Sequence, residues 1–287
     1  EKKLSKLTIG LMPDTDSIPF IIAAEHGYFA EEGVEVELVP FKSAMERDAA
    51  LQSGNLDGAI SDLLAVIFAR SGGFAVHATS YTDGNYNLVA GGNAGISAPA
   101  DLRGKEIAIS RNTIIEYVTD EILAVNGIEE KEISKVVIPQ IPVRLEMLQS
   151  GNLGAAVLPE PMASVAAASG SRYVTGSGEL GINPGVIVFS DASIQEKEAS
   201  IRAMYRAYNK AVNYLNNTPR ADYIDLVMEK SGFPAPARDA LELKPYRSAG
   251  LPAQQDVEEA VHWVKSKDLA GSYSYDDLVS KLLAEEK

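Results

Sequence analysis

The hexapeptide Leu-Gln-Ser-Gly-Asn-Leu occurs at residues 51–56 and again at residues 148–153, an offset of 97 positions. Each copy follows a helix-like stretch, residues 44–50 and 143–147. Each precedes a short apolar run, Gly58-Ala59-Ile60 in one case and Ala155-Ala156-Val157 in the other. Gly54 and Gly151 stand where a helix terminates in a left-handed residue, a conformation glycine adopts without steric cost. The same helix–glycine–strand unit therefore lies at matched places in two halves of the chain. Two units are too few to stack as a solenoid. They predict two related α/β lobes with a cleft between them.

The rest of the pattern agrees. Strand-like runs at residues 6–12, 34–39, 59–60, 74–79 and 85–90 alternate with helix-like runs at 18–26, 43–50 and 63–69. The order restarts with a strand at 106–109, a helix from 114 to near Gly127, a strand at 136–138, the second hexapeptide and Val157. Such alternation predicts mostly parallel, wound sheets. A last β-like run at 185–189 is followed by helical spacing at 201–215, 222–230, 257–266 and 275–283. The expected division is residues 1–84 plus 191–287 as lobe I with a helical tail, and 85–190 as lobe II. Hinge crossings are expected near 82–86 and 189–191.

The chain has 287 residues, 46% of them hydrophobic, enough for one large domain or two modest ones. A net charge of −14 argues against nucleic acid and anionic membranes, whose ligands are basic. With no cysteine, disulfides, thiolate chemistry and Cys-ligated zinc are excluded. That composition suits an exported protein. The chain opens on Glu1-Lys2-Lys3-Leu4 with no signal peptide, so export implies a leader already removed.

No phosphate-binding loop, dinucleotide fingerprint, nucleophile elbow or His-Glu-x-x-His motif is present. His26, His77 and His262 are scattered and read as structural or surface residues. No cofactor and no metal is expected. What the sequence does show is polar residues gathered where strand ends meet helix starts, and helix starts attract anions. In wound sheets ligands sit beyond the carboxyl ends of the strands. The candidates are Asp16, Ser17, Ser43, Ser61, Asp62, Tyr81, Asp83, Ser110, Arg111, Asn112, Thr113 and Glu160. Capping explains any one of them equally well. For Thr113, which opens a Thr-x-x-Glu capping box, it is the better explanation. Convergence of the set on one cleft is what points to binding. Arg111 is the candidate fork for a carboxylate or sulfonate. Asp62, Asp83 and Glu160 are the candidate partners for an amine. Tyr81 and Tyr86 are candidates for a flat wall near the hinge. Trp263, on a tail helix, is expected to be packing.

Residues 18–37, a helix continuing into His-Gly-Tyr-Phe-Ala-Glu-Glu-Gly-Val and a strand, are similar to the opening of ABC-importer solute-binding proteins. The group concerned includes sulfonate, taurine, nitrate and thiamine-precursor binders. Residues 51–60 resemble that group's Leu…Gly…Asp segment, and Asp101-Leu102-Arg103-Gly104-Lys105 with Ile107 its approach to the second lobe. Glu160-Pro161 resembles its strand-end Glu-Pro, and residues 261–278 its tail. The resemblance spans nearly the whole chain. It implies a type II periplasmic-binding-protein fold that closes on a small solute and presents it to a membrane permease. It also implies a periplasmic or cell-surface location, often through a lipid anchor on an N-terminal cysteine. The family's pyrimidine-making enzyme branch relies on a cysteine-rich motif that this chain lacks. The expectation is therefore a monomeric, non-catalytic receptor for a small organic anion or zwitterion, sulfonate- or taurine-like. The alternatives are an aminopyrimidine thiamine precursor as ligand and, as a different class, an enzyme on the same fold.

Overall fold

The apolar runs behind the two hexapeptides become the central strands β3 (Gly58–Asp62) and β8 (Ala155–Pro159) of two different sheets. The computed structural model describes residues 4–284. The remaining strands are β1 (Leu7–Leu11), β2 (Val36–Pro40), β4 (Val76–Tyr81), β5 (Tyr86–Ala90), β6 (Glu106–Ile109), β7 (Ser134–Val137), β9 (Arg172–Gly176) and β10 (Gly185–Ser190). The first sheet has the order β2-β1-β3-β10-β4 and the second β7-β6-β8-β5-β9. In each, one strand runs against its neighbours. β10 is antiparallel to β3 and β4, with Ile187 opposite Ile60. β5 is antiparallel to β8 and β9, with Leu88 opposite Val157. The two sheets therefore share one topology, and the reversed strand of each lies next to a crossing.

The chain crosses to the second sheet between Tyr81 and Tyr86 and returns between Gly176 and Gly185. The return was expected at 189–191. It comes earlier because the run at 185–190 pairs with β3 and β4 and so already belongs to the first sheet. β9 was not anticipated, since Arg172–Gly176 is half polar and lies at a sheet edge.

Helices cover both faces. In the first half they are α1 (Ile18–Glu25), α2 (Tyr28–Glu31), α3 (Ala44–Gln52) and α4 (Leu63–Ser71). In the second they are α5 (Ile114–Val125), α6 (Ile141–Gln149), α7 (Met162–Ala168) and α8 (Ser177–Leu180). The tail adds α9 (Asp191–Asn217), α10 (Ile224–Ser231), α11 (Ala237–Ala240), α12 (Gln254–Ser266) and α13 (Tyr275–Leu278). The helix expected over 275–283 breaks after Leu278, where Val279 instead bridges to Ala78 beside β4. Alternate residues of β8 feed opposite cores: Ala156 and Leu158 join the core of α6 and α7, Ala155 and Val157 that of α5. Trp263 of α12 is buried against Tyr117 of α5 and donates to Asp120.

The hexapeptide recurs because nearly each residue of it does the same work twice. Leu51 and Leu148 are buried anchors at the ends of α3 and α6. Gly54 and Gly151 take φ of +80° and +79°. In the first copy Gly54 N–H reaches Leu51 C=O at 3.1 Å and Asn55 N–H reaches Ala50 C=O at 3.0 Å. In the second, Gly151 and Asn152 repeat this on Leu148 and Met147 at 3.2 and 3.0 Å, so both helices end in a Schellman motif. Asn55 donates to Ser53 and Asn152 to Ser150, at 3.0 and 2.7 Å. Leu56 and Leu153 then bury the turn.

Gly58 opens β3 where β10 passes close. A Cβ there would lie 2.5 Å from Val188 C=O and 2.7 Å from the Phe189 ring. Its counterpart 97 residues on is alanine, Ala155, so only the first sheet imposes this limit. Gly58→Ala is expected to destabilise the protein by about 1–3 kcal/mol through overpacking. Urea unfolding monitored by circular dichroism checks this, with Ala155→Gly as the counterpart at the open position.

Candidate functional site

The carboxyl ends of β1 and β3 face those of β6 and β8, and between them lies a small cavity of about 30 Å³. Four helices begin at its wall. Ser43 caps α3 by accepting from Glu46 N–H at 3.2 Å, and Asp62 caps α4 by accepting from Ala65 N–H at 2.8 Å. Thr113 caps α5 by accepting from Ile115 N–H at 3.2 Å. The fourth, α6, has no side-chain cap, and its first N–H, of Ile141, donates across the gap to Lys42 C=O at 3.0 Å. Helix starts present unpaired N–H groups and partial positive charge, so the cavity is electropositive at its backbone.

Charged side chains complete it. Arg47 of α3 is 3% exposed. It donates to Ile60 C=O at 3.3 Å and to Asp48 at 2.8 Å, and lies 3.9 Å from Asp62. Arg144 of α6 is wholly buried and donates to Val157 C=O at 2.9 Å and Ile138 C=O at 2.7 Å. Asp14 follows β1 and accepts from Asp16 N–H at 3.1 Å. Burial pushes the Asp14 carboxyl up to about 7, against the pull of hydrogen bonds from the Asp16 and Ser17 backbone. Burial raises Asp62 too, opposed by Arg47. Asp16 rises further, from burial and then from the repulsion of Asp14. The Arg144 guanidinium is pushed down to about 9 by burial. Burial works against the charge of Arg47 as well, but Asp48 and Asp62 outweigh it and the net shift is upward.

Of the residues singled out in the sequence, Ser61, Asp62, Ser110 and Thr113 meet at this cavity. Ser43 stands beside it as the α3 cap. Thr113 caps as expected but makes half a capping box: Glu116 accepts from Asn112 N–H at 2.7 Å rather than from Thr113. Asp16 is 2% exposed and turns to the crossing, where a Cβ on Gly84 would lie 2.6 Å from its carboxylate. Neither Asp16 nor Ser17 caps α1. Asp14 caps the turn before it, and Ser17 instead donates to Met12 C=O at 2.5 Å. Arg111 and Asn112 are exposed and outside the cavity lining. Asn112 takes φ of +56° in the turn before α5. Tyr81 and Asp83 hold the tail: Arg247 stacks at 3.8 Å over the Tyr81 ring and pairs with Asp83 at 2.5 Å.

Glu160 accepts from Asn87 at 2.7 Å and from Ser164 N–H at 3.1 Å. It lines a separate open groove of about 630 Å³ with Asp83, Glu179 and Glu242. Three of those four carboxylates are already partnered, by Asn87, Arg247 and Tyr173. The smaller cavity is the better candidate site, because buried charges and helix starts from both sheets converge there. Sequence reasoning missed Asp14, Arg47 and Arg144. The two arginines are 97 residues apart, the hexapeptide's own offset, and that was the signal available.

A model of proteins described as NMT1/THI5-like matches residues 14–222. No curated protein matches the sequence closely enough to count as a relative. Solved structures do match in fold. The alkanesulfonate-binding protein SsuA of Xanthomonas axonopodis pv. citri superposes with a TM-score of 0.82 at 18% identity, covering 95% of this chain and 96% of that one. The ligand-binding component of an ABC-type import system from Staphylococcus aureus gives 0.84 at 16% identity, covering 99% of each chain. The nitrate-binding protein NrtA of Synechocystis PCC 6803 gives 0.82 at 14% identity, covering 99% and 88%. A desulfurization enzyme shares the fold at a lower TM-score of 0.69.

The cavity's acids make stability depend on pH. In the folded protein Asp14 holds its proton up to about 7, whereas its usual value is 3.8. Its contribution is therefore fully present below the usual value and is lost as pH rises through about 7. Asp14→Asn keeps the cap acceptor and removes the titration. The variant is expected to lose less stability than wild type between about pH 4 and about pH 7.5, which thermal melts across that range would measure.

Proposed function

Because the chain belongs to the NMT1/THI5-like family and has the two-lobed fold of the solute-binding proteins it superposes on, we propose that it is the solute-binding receptor of an ABC importer. In this reading it works outside the cytoplasm, captures a small molecule between its lobes and delivers it to a membrane permease. The observation that carries the reading is the small cavity between the two sheets, walled by four helix starts and by buried charges from both sides. At about 30 Å³ the cavity is far smaller than an ordinary ligand site, so a solute would enter it with the lobes apart.

The proposed motion is closure about the two crossings, 81–86 and 176–185. Two backbone bonds join the lobes far from the crossings in sequence: Thr15 N–H to Glu160 C=O at 2.8 Å and Ile141 N–H to Lys42 C=O at 3.0 Å. They are the contacts that opening would break. The proposed ligand is a small organic anion or zwitterion, sulfonate- or taurine-like, its acid group toward the arginines and any amine toward Asp14 and Asp62. A second reading, an aminopyrimidine, is favoured by one observation. The Tyr86 ring lines the cavity together with the same two carboxyls. A ring with exocyclic amines suits that combination.

Native mass spectrometry of gently purified protein is expected to show a bound small molecule. Small-angle scattering is expected to give a smaller radius of gyration with that molecule than without it. A radius that does not change on demonstrated binding would rule out a closing receptor. Steady turnover of the molecule by purified protein would place the chain with the enzymes of this fold instead.

A further inference from the structure

Arg47 and Arg144 occupy the same position in the two repeats, and each is clamped to the same strand carbonyl, Ile60 and Val157, again 97 residues apart. Their electrostatic situations differ. Arg47 has two acids, Asp48 at 2.8 Å and Asp62 at 3.9 Å. The counterparts of those acids in the second repeat are Leu145 and Pro159, neither of which carries charge. Arg144 is wholly buried, and no ion pair among the described residues reaches it. Two of its nitrogens are spent on carbonyls, and Nη2 has no hydrogen-bond partner. Leaving a buried charge unpaired costs far more than a pair gains, so such a group calls for a counter-ion. Arg144 lines the cavity, beside the starts of α5 and α6. Facing it from the first sheet is a second buried group without a partner, the Ser61 hydroxyl.

We propose that Arg144 is the counter-ion for an oxyanion group on the solute, a sulfonate, carboxylate or nitrate-sized head. This rests on the receptor reading above. The head sits against Arg144 Nη2 and the helix starts of the second sheet, and the Ser61 hydroxyl donates to it from the first. The arginine stands in both repeats and its acids in the first alone, so the two halves of the cavity are opposite in kind. The second sheet offers an unmatched positive charge, and the first offers carboxyls. The polarity fixes which end of a zwitterion meets which lobe.

The probes are methanesulfonate, taurine, acetate and nitrate, titrated calorimetrically at constant ionic strength with dimethyl sulfone as the neutral isostere. Wild type is expected to bind at least one of the oxyanions and not the sulfone. Arg144→Gln is expected to bind that oxyanion ten- to hundredfold more weakly, the loss of one charge-assisted hydrogen bond. Pro159→Asp, which restores the acid found at Asp62 in the first repeat, is expected to weaken it similarly by supplying an internal counter-ion. Arg111→Ala is expected to leave it unchanged. Thermal melts without anion verify that the variants are folded. Should either not fold, a wild-type crystal structure with the bound oxyanion decides: an oxygen within hydrogen-bond reach of Arg144 Nη2 supports the proposal, and a head group elsewhere overturns it. Unchanged affinity in both folded variants also overturns it. A neutral or purely cationic solute that shrinks wild type while no oxyanion binds overturns this inference and leaves the receptor reading standing. If no solute closes the protein at all, both fall.

Discussion

The contact on which the cavity depends is an arginine driven under a strand by the helix before it. Arg47 fastens α3 to Ile60 and Arg144 fastens α6 to Val157, each through a buried guanidinium–carbonyl bond. A strand's carbonyls are normally spent on its neighbours in the sheet, so a side-chain donor that reaches one near the strand's end ties helix to sheet there. Because the arginine lies one turn into each helix, the first residues, Ala44 and Ile141, are held at the cavity wall. Backbone N–H groups and guanidinium groups thus arrive together, on both sides of the gap.

The two reversed strands supply the other constraint. β5 and β10 each leave a crossing and insert between two strands of the opposite sheet, β5 between β8 and β9 and β10 between β3 and β4. Both are apolar through nearly their whole length, as strands buried on both faces must be. Each half therefore contains a strand that enters directly from a crossing. A rotation at the crossings moves whole sheets rather than peeling an edge strand. On the receptor reading, closure would then be a rigid-body motion in a chain whose lobes are interleaved in sequence.

Much of this was legible from residues, and the reasons are local. The hexapeptide encodes a complete device, a buried leucine, a Schellman glycine and a Ser–Asn bond, so finding it twice meant finding two sheets. Ser43, Asp62 and Thr113 were legible as caps for the same reason. The return crossing was misplaced because an apolar run such as 185–190 reads alike in either sheet, and only pairing decides. That Arg111 stands exposed outside the cavity lining was not legible, because sequence gives the loop but not its placement. Arg47 and Arg144 were missed because an arginine on a short amphipathic helix reads as part of a solvated face. Burial of a charge is a tertiary outcome. Only the shared offset hinted at it, and only once the repeat had been extended upstream of the hexapeptide.

On the receptor reading, the same charges explain why the closed form should wait for its solute. Arg144 is buried with no ion pair among the described residues, and burial pushes Asp14, Asp16 and Asp62 toward their protonated forms. A head group that pairs with Arg144 in the closed form and not in the open one would draw the equilibrium between them toward closure. A solute shifts that equilibrium only by what it gains in the closed form over the open one. Its head group on Arg144 would supply most of that difference. Selectivity follows from the opposite halves. A neutral molecule leaves Arg144 unmatched. A molecule with one negative and one positive end satisfies both, and the penalty on its competitors comes from groups left unpaired rather than from steric fit.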